Sequence, residues 1–225
     1  MNESKERDDL LVELADTAWV LGHWYMIAIP NSRALADFSA LAAMGQEALG
    51  FVRSLFERLD ESAAIHHEGR SQDMYRSAPF MDSAPSDWAD FVVSVIATEC
   101  VLRIDAAELL KDAEDEEAGL LRMLDQVATF HLGYAHGWLD VLRAEAQERV
   151  QAAISKRGPR VWDWVSARHS ASDSNSWADL ESLLPRPASL TAAPVASRAE
   201  QRDEAAVPAG LAEFMSLKPA VIKSS

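Results

Sequence analysis

Proline is almost missing from the first two-thirds of this chain: six of its nine prolines lie from Pro159 onward, leaving only Pro30, Pro79 and Pro85 before them. A proline inside a helix removes a hydrogen bond and clashes with the preceding turn, so its absence leaves long helices open to the chain. The same region is rich in Ala, Leu and Glu, residues that lose little entropy in a helix. Four long helices are predicted, each bounded by a breaker or a cap. The first runs from about Asp8 to Ile29 and stops at Pro30, with Leu10, Leu11, Leu14, Ala18, Leu21 and Tyr25 in one apolar stripe. The second follows a cap at Asn31 or Ser32 and continues to about Leu59. Its buried face is expected to be Leu35, Phe38, Leu41, Ala42, Gly45, Leu49, Val52 and Phe56.

Periodicity is lost between Asp60 and Pro85, a stretch long enough to carry the chain across a bundle. Ser86, followed by Asp87 and Asp90, suits the start of a third helix reaching about Lys111. The acid run 112–117 reads as the solvated start of a fourth helix, placed well for its dipole. That helix is expected to span about Glu114 to Ile154 and to stop at Arg157-Gly158-Pro159, before a short helix at Arg160–His169. Beyond lie a flexible linker, two helical turns at Trp177–Leu184 and a Pro/Ala/Ser-rich segment with one apolar island, Leu211–Leu217. The expected organisation is an all-α, ferritin-like four-helix bundle over 1–169 with a long crossover. A low-complexity tail over 170–225 is expected to be mostly disordered, with short helical pieces.

The net charge of −15 repels phosphate backbones and anionic lipid, which argues against nucleic acid or a membrane as partner. The polar N-terminus lacks the pattern of a signal peptide. The lone Cys100 excludes an internal disulfide framework and fits a reducing cytoplasm.

Four long helices with a crossover raise the question of a di-iron carboxylate site. Such a site takes a Glu from each of two helices and a Glu-x-x-His from each of the other two, because residues three apart share a helix face. The six histidines are His23, His66, His67, His131, His136 and His169, and the residues three before them are Val20, Ala63, Ala64, Ala128, Gly133 and Ser166. None is acidic. His66-His67-Glu68 reads as a solvated loop, and His131 and His136 point to different faces of one helix. Carboxylates in apolar surroundings, Asp16, Glu47, Glu99 and Asp105, are costly to bury alone. They are expected to pair with Arg53, Arg103, His23 or backbone groups. The alternative is a degenerate metal site built from Asp16, Glu47, Glu99 and His131.

Two helical segments, Leu14–His23 (LADTAWVLGH) and Ala40–Arg53 (ALAAMGQEALGFVR), resemble the small helical subunits of the phenylacetic acid catabolic protein family. The likeness continues through Ser86-Asp-Trp-Ala-Asp90 to Phe130–Leu139 (FHLGYAHGWL), covering roughly residues 8–155. That family includes a catalytic di-iron subunit and a related metal-free one that supports it in an aryl-CoA ring-epoxidising complex. This chain resembles the supporting type. Glu47 is followed at three residues by Gly50 and Glu99 by Leu102, and Val127 and Phe130 stand where a Glu-x-x-His is expected. That apolar pair is expected to plug the bundle core. The family's later helices are replaced by the Pro/Ala tail.

The resemblance implies a non-catalytic structural subunit with no catalytic residues, cofactor or metal of its own. It implies a hetero-oligomer with a ferritin-like catalytic partner that holds the di-iron centre and acts on an aryl-CoA or related aromatic acid. Two other functions fit the residues: a divergent di-metal oxygenase on the degenerate carboxylate site, and a stand-alone helical bundle that binds a small molecule.

Overall fold

The computed structural model describes residues 2–32, 34–59, 75–169 and 175–186. The expected tail beyond 186, its island at Leu211–Leu217 and the His66-His67-Glu68 loop lie outside them. The described residues form an all-α helical bundle of six helices: α1 (Asn2–Ala28), α2 (Leu35–Leu59), α3 (Trp88–Leu109), α4 (Asp115–Glu145), α5 (Gln147–Arg168) and α6 (Asn175–Leu183). No described helix is long and apolar enough to cross a membrane.

α1 pairs with α2 and α3 with α4, while α1 also packs on α3 and α2 on α4, which closes a four-helix core. The α1–α2 contact is close because both helices carry a glycine at the crossing. A Cβ on Gly22 would stand 3.0 Å from Leu49 Cγ, and one on Gly45 would stand 2.8 Å from Met26 Sδ. α5 and α6 lie against the remaining side of α3. Eighteen of the 22 residues of α3 are therefore buried, and its sequence shows no single apolar stripe because it has no solvent face.

α3 begins one residue later than the sequence suggests. Asp87 is the cap, its side chain accepting from the Asp90 amide, and Asp90 reaches back to accept from Ser86 N and Oγ at 2.9 and 3.0 Å. The stretch leading to it is strapped along α1: the Arg76 amide donates to Asp16 at 2.7 Å and the Ala78 amide to Thr17 Oγ1 at 3.0 Å. The Tyr75 and Trp19 rings meet at 5.4 Å.

Three expectations are corrected. The fourth helix breaks at Ala146 (φ −147°, ψ 43°), and the next runs unbroken through Gly158-Pro159 to Arg168. A proline costs about 3 kcal/mol in a helix interior. The buried side of α5, Arg157, Gly158, Val161, Trp162, Trp164 and Val165, outweighs it. Phe130 does not plug the core; it is 78% exposed, because the buried stripe of α4 runs through Leu124, Ala128, His131, Leu132 and Ala135. Only Val127 of the expected pair faces inward, against Leu124 and His131. At the start of α2, Leu35 and Phe38 are exposed, and Asp37 is buried in their stead. It accepts from Tyr134 Oη at 3.1 Å and Trp138 Nε1 at 3.0 Å.

Candidate functional site

The centre of the bundle is polar. α4 presents His131 inward, α3 presents Glu99, α2 presents Glu47 and α1 presents Tyr25. His131 Nδ1 lies 2.6 Å from Glu99 Oε1 and Nε2 lies 2.9 Å from Glu47 Oε2. Tyr25 Oη donates to the same Glu99 oxygen at 2.7 Å, and its ring meets the His131 ring edge-on at 5.4 Å. Glu99 and His131 are each 2% exposed, whereas the Glu47 side chain is half exposed and forms the solvent edge of the cluster. Ala18, Leu21, Phe51, Leu102 and Leu124 close around it, leaving a cavity of about 20 Å³, room for roughly one water.

The electrostatics follow from the burial. Burial alone would lower the His131 pKa, but the hydrogen bonds and charges of Glu99 and then Glu47 outweigh it and raise it above 6.5. The shift favours the protonated ring, whose two nitrogens can then donate to Glu99 and Glu47. Burial, and next the Glu99 charge, push the Tyr25 phenol well above its usual range, so it remains a neutral donor. The Cys100 thiol, also on α3, is raised by burial first and by the Asp179 charge second, which leaves it inert.

Of the four sequence candidates, the structure brings together Glu47, Glu99 and His131 and leaves out Asp16. Asp16 is fully buried and bound to the Arg76 amide, so it holds the strap before α3. Arg53 and Arg103, the expected partners of the buried acids, instead pair with Glu57 and Asp125. Tyr25 is a member that sequence reasoning assigned to the apolar stripe; a tyrosine at a fully buried position is itself the signal, since its hydroxyl needs an acceptor.

The cluster fits a metal ion poorly. Imidazole binds an ion through an unprotonated nitrogen, and here both nitrogens face carboxylates at hydrogen-bond distance. Among the described residues no set of three or more His, Cys, Asp or Glu side chains is spaced to hold an ion. Chemically the arrangement is an interhelical lock: His131 bridges two acidic side chains and ties α2, α3 and α4, with α1 joined through Tyr25.

α3 carries two more such nodes. Asp90 accepts from Arg157 Nε at 2.6 Å, Arg157 Nη2 at 2.9 Å and Lys156 Nζ at 2.7 Å. Burial opposes its ionisation, yet Arg157 and then Lys156 hold the carboxyl far below its usual range. Arg157 Nη1 also donates to the Ser83 carbonyl at 2.8 Å, tying α5 to the segment before α3. Near the other end, Asp105 lies 2.6 Å from His169 Nε2 and 3.8 Å from Arg168 Nε.

No known protein-family model matches the chain, and no curated protein is significantly similar to it in sequence.

Proposed function

We propose that this protein is a non-catalytic structural subunit that supports a ferritin-like di-iron oxygenase, a cytoplasmic partner acting on an aryl-CoA or related aromatic acid. The observation that carries this reading is the His131 bridge. In a bundle of this kind the ligands of a metal site project inward from facing helices. Here the inward groups are hydrogen-bonded to one another, and the cavity of about 20 Å³ beside them is too small for a substrate. The role left to such a core is to hold four helices in register, so that the outer surface presents a fixed shape. Further support is the resemblance of the segments around Asp16, Glu47, Ser86 and His131 to the supporting subunit of the phenylacetic acid catabolic family. In that arrangement the iron and its oxygen chemistry belong to the partner.

The test is purification of the tagged protein from its native cells at natural expression. Co-elution in fixed stoichiometry with a larger metal-bearing subunit is the expected result. Elution as a lone monomer whose stability is unchanged by candidate partners contradicts it.

One observation favours a second reading, a divergent metalloenzyme: Glu47 and Glu99, from two helices, both contact His131 on a third. Loss of a proton from His131 would be required before it could ligate. Metal content of the purified protein decides between the two.

A further inference from the structure

A cavity of about 320 Å³ opens at the end of the bundle where α1 finishes and α3 begins. Its walls are Trp24, Ile27, Trp88 and Phe91, with Pro85 at the side. The aromatic walls are held in place from behind. Trp88 lies 5.1 Å from Phe91 and meets Trp138 edge-on at 5.2 Å, and Phe91 meets Tyr25 edge-on at 6.2 Å. Trp24 stands over the Arg157 guanidinium, 5.8 Å from the ring centre. That arginine is itself fixed by two hydrogen bonds to Asp90.

The polar groups of the lining define what fits. Among the described lining residues there is no base, and Asp87 is an acid. Its Oδ1 and the Ser86 hydroxyl are already engaged in capping α3. The exposed Asn31 amide remains as a donor at the rim, whereas Trp88 Nε1 has no acceptor but is itself fully buried. A space of this size is at the small end of ligand pockets and suits one or two rings. Apolar cavities bind water weakly and take up aromatic molecules in its place.

From this we propose that the cavity is a binding site for a small, uncharged, flat aromatic molecule bearing one hydrogen-bond acceptor. The site is distinct from the His131 cluster, and it stands whether or not the protein has a catalytic partner. Rings stack on Trp24, Trp88 and Phe91, while an acceptor atom meets the Asn31 amide at the rim. An anionic ligand is disfavoured because it would meet Asp87 and, among the described lining residues, no cation.

The experiment is calorimetric titration of the full-length protein with three two-ring probes: quinoline (uncharged, one acceptor), naphthalene-1-carboxylate (anionic) and naphthalene (no acceptor). Quinoline is expected to bind one-to-one with a Kd below about 1 mM, and each of the others at least ~10-fold more weakly. Ile27→Trp fills the cavity from its rim and is expected to weaken quinoline by at least ~10-fold. Asn31→Phe, a second blocking change at an exposed position, should do the same, with folding of both variants verified by circular dichroism. Absence of saturable quinoline binding, equal binding in the folded blocked variants, or equal affinity for the carboxylate overturns the proposal.

Discussion

Replacing His131 by Leu should unfold the protein more readily than loss of one side chain suggests, because of what the change leaves behind. Glu99 Oε1 loses the imidazolium at 2.6 Å and retains only the Tyr25 hydroxyl, at a position 2% exposed. Glu47 loses its partner too, but it is half exposed and water replaces the imidazole. Removing one member of a buried ion pair costs about 3–5 kcal/mol, whereas replacing the whole group by hydrocarbon is often neutral. For a protein of this size each kcal/mol moves Tm by about 2–4 °C, so His131→Leu should lower Tm by roughly 6–20 °C. The triple variant Tyr25→Phe, Glu99→Leu, His131→Leu removes every member of the cluster that needs a buried partner. It should recover most of the loss. Thermal melts of wild type, single and triple variants at one pH form the assay. A single variant as stable as wild type would refute the lock. A triple variant no better than the single would show that packing, rather than an orphaned charge, sets the cost.

Two further outcomes are expected. The His131 pKa is raised on folding, so its stabilisation is complete below its ordinary value of 6.5 and is lost as pH rises through the folded value. Melting temperature should therefore fall as pH rises above 6.5, and His131→Gln should flatten that fall; an unchanged pH profile in the variant contradicts the assignment. The glycines divide by surroundings. Gly22→Ala presses on Leu49 and should cost on the order of 1 kcal/mol, while Gly133→Ala and Gly137→Ala meet nothing within 4 Å and should each stabilise by about 0.5–1 kcal/mol. Equilibrium denaturation gives both signs, and a stabilising Gly22→Ala would show that α1 and α2 are not so closely packed.

The helices were legible in the sequence wherever breakers and periodicity agreed. α1, α2, α3 and the short α6 lie close to where stripes, Pro30 and the cap expected at Ser86, one residue before the observed Asp87, put them. Errors came where tertiary contacts overrode a local rule. Gly158-Pro159 reads as a stop, but Trp162 and Trp164 bury the far side of that helix and carry it through. Phe130 and Leu35 read as core because they are large and apolar, while Asp37 went unnoticed because its donors lie about a hundred residues away on α4. The central cluster illustrates the same limit. A search for an acid and a histidine three apart tests one helix at a time. Glu99 and His131 are separated by 32 residues and Glu47 and His131 by 84, so only the folded chain puts them in contact. Composition gave the candidates; it did not reveal that Asp16 belongs to the strap.

The central claim is that the polar heart of the bundle is an internal ion bridge and not a metal site. Elemental analysis of protein purified without chelators from cells supplemented with iron and manganese tests it most directly. Less than about a tenth of an equivalent of either metal is predicted, since a protonated His131 competes with the ion for both carboxylates. One or two equivalents that disappear in Glu99→Gln or His131→Gln, with the fold retained, would contradict it.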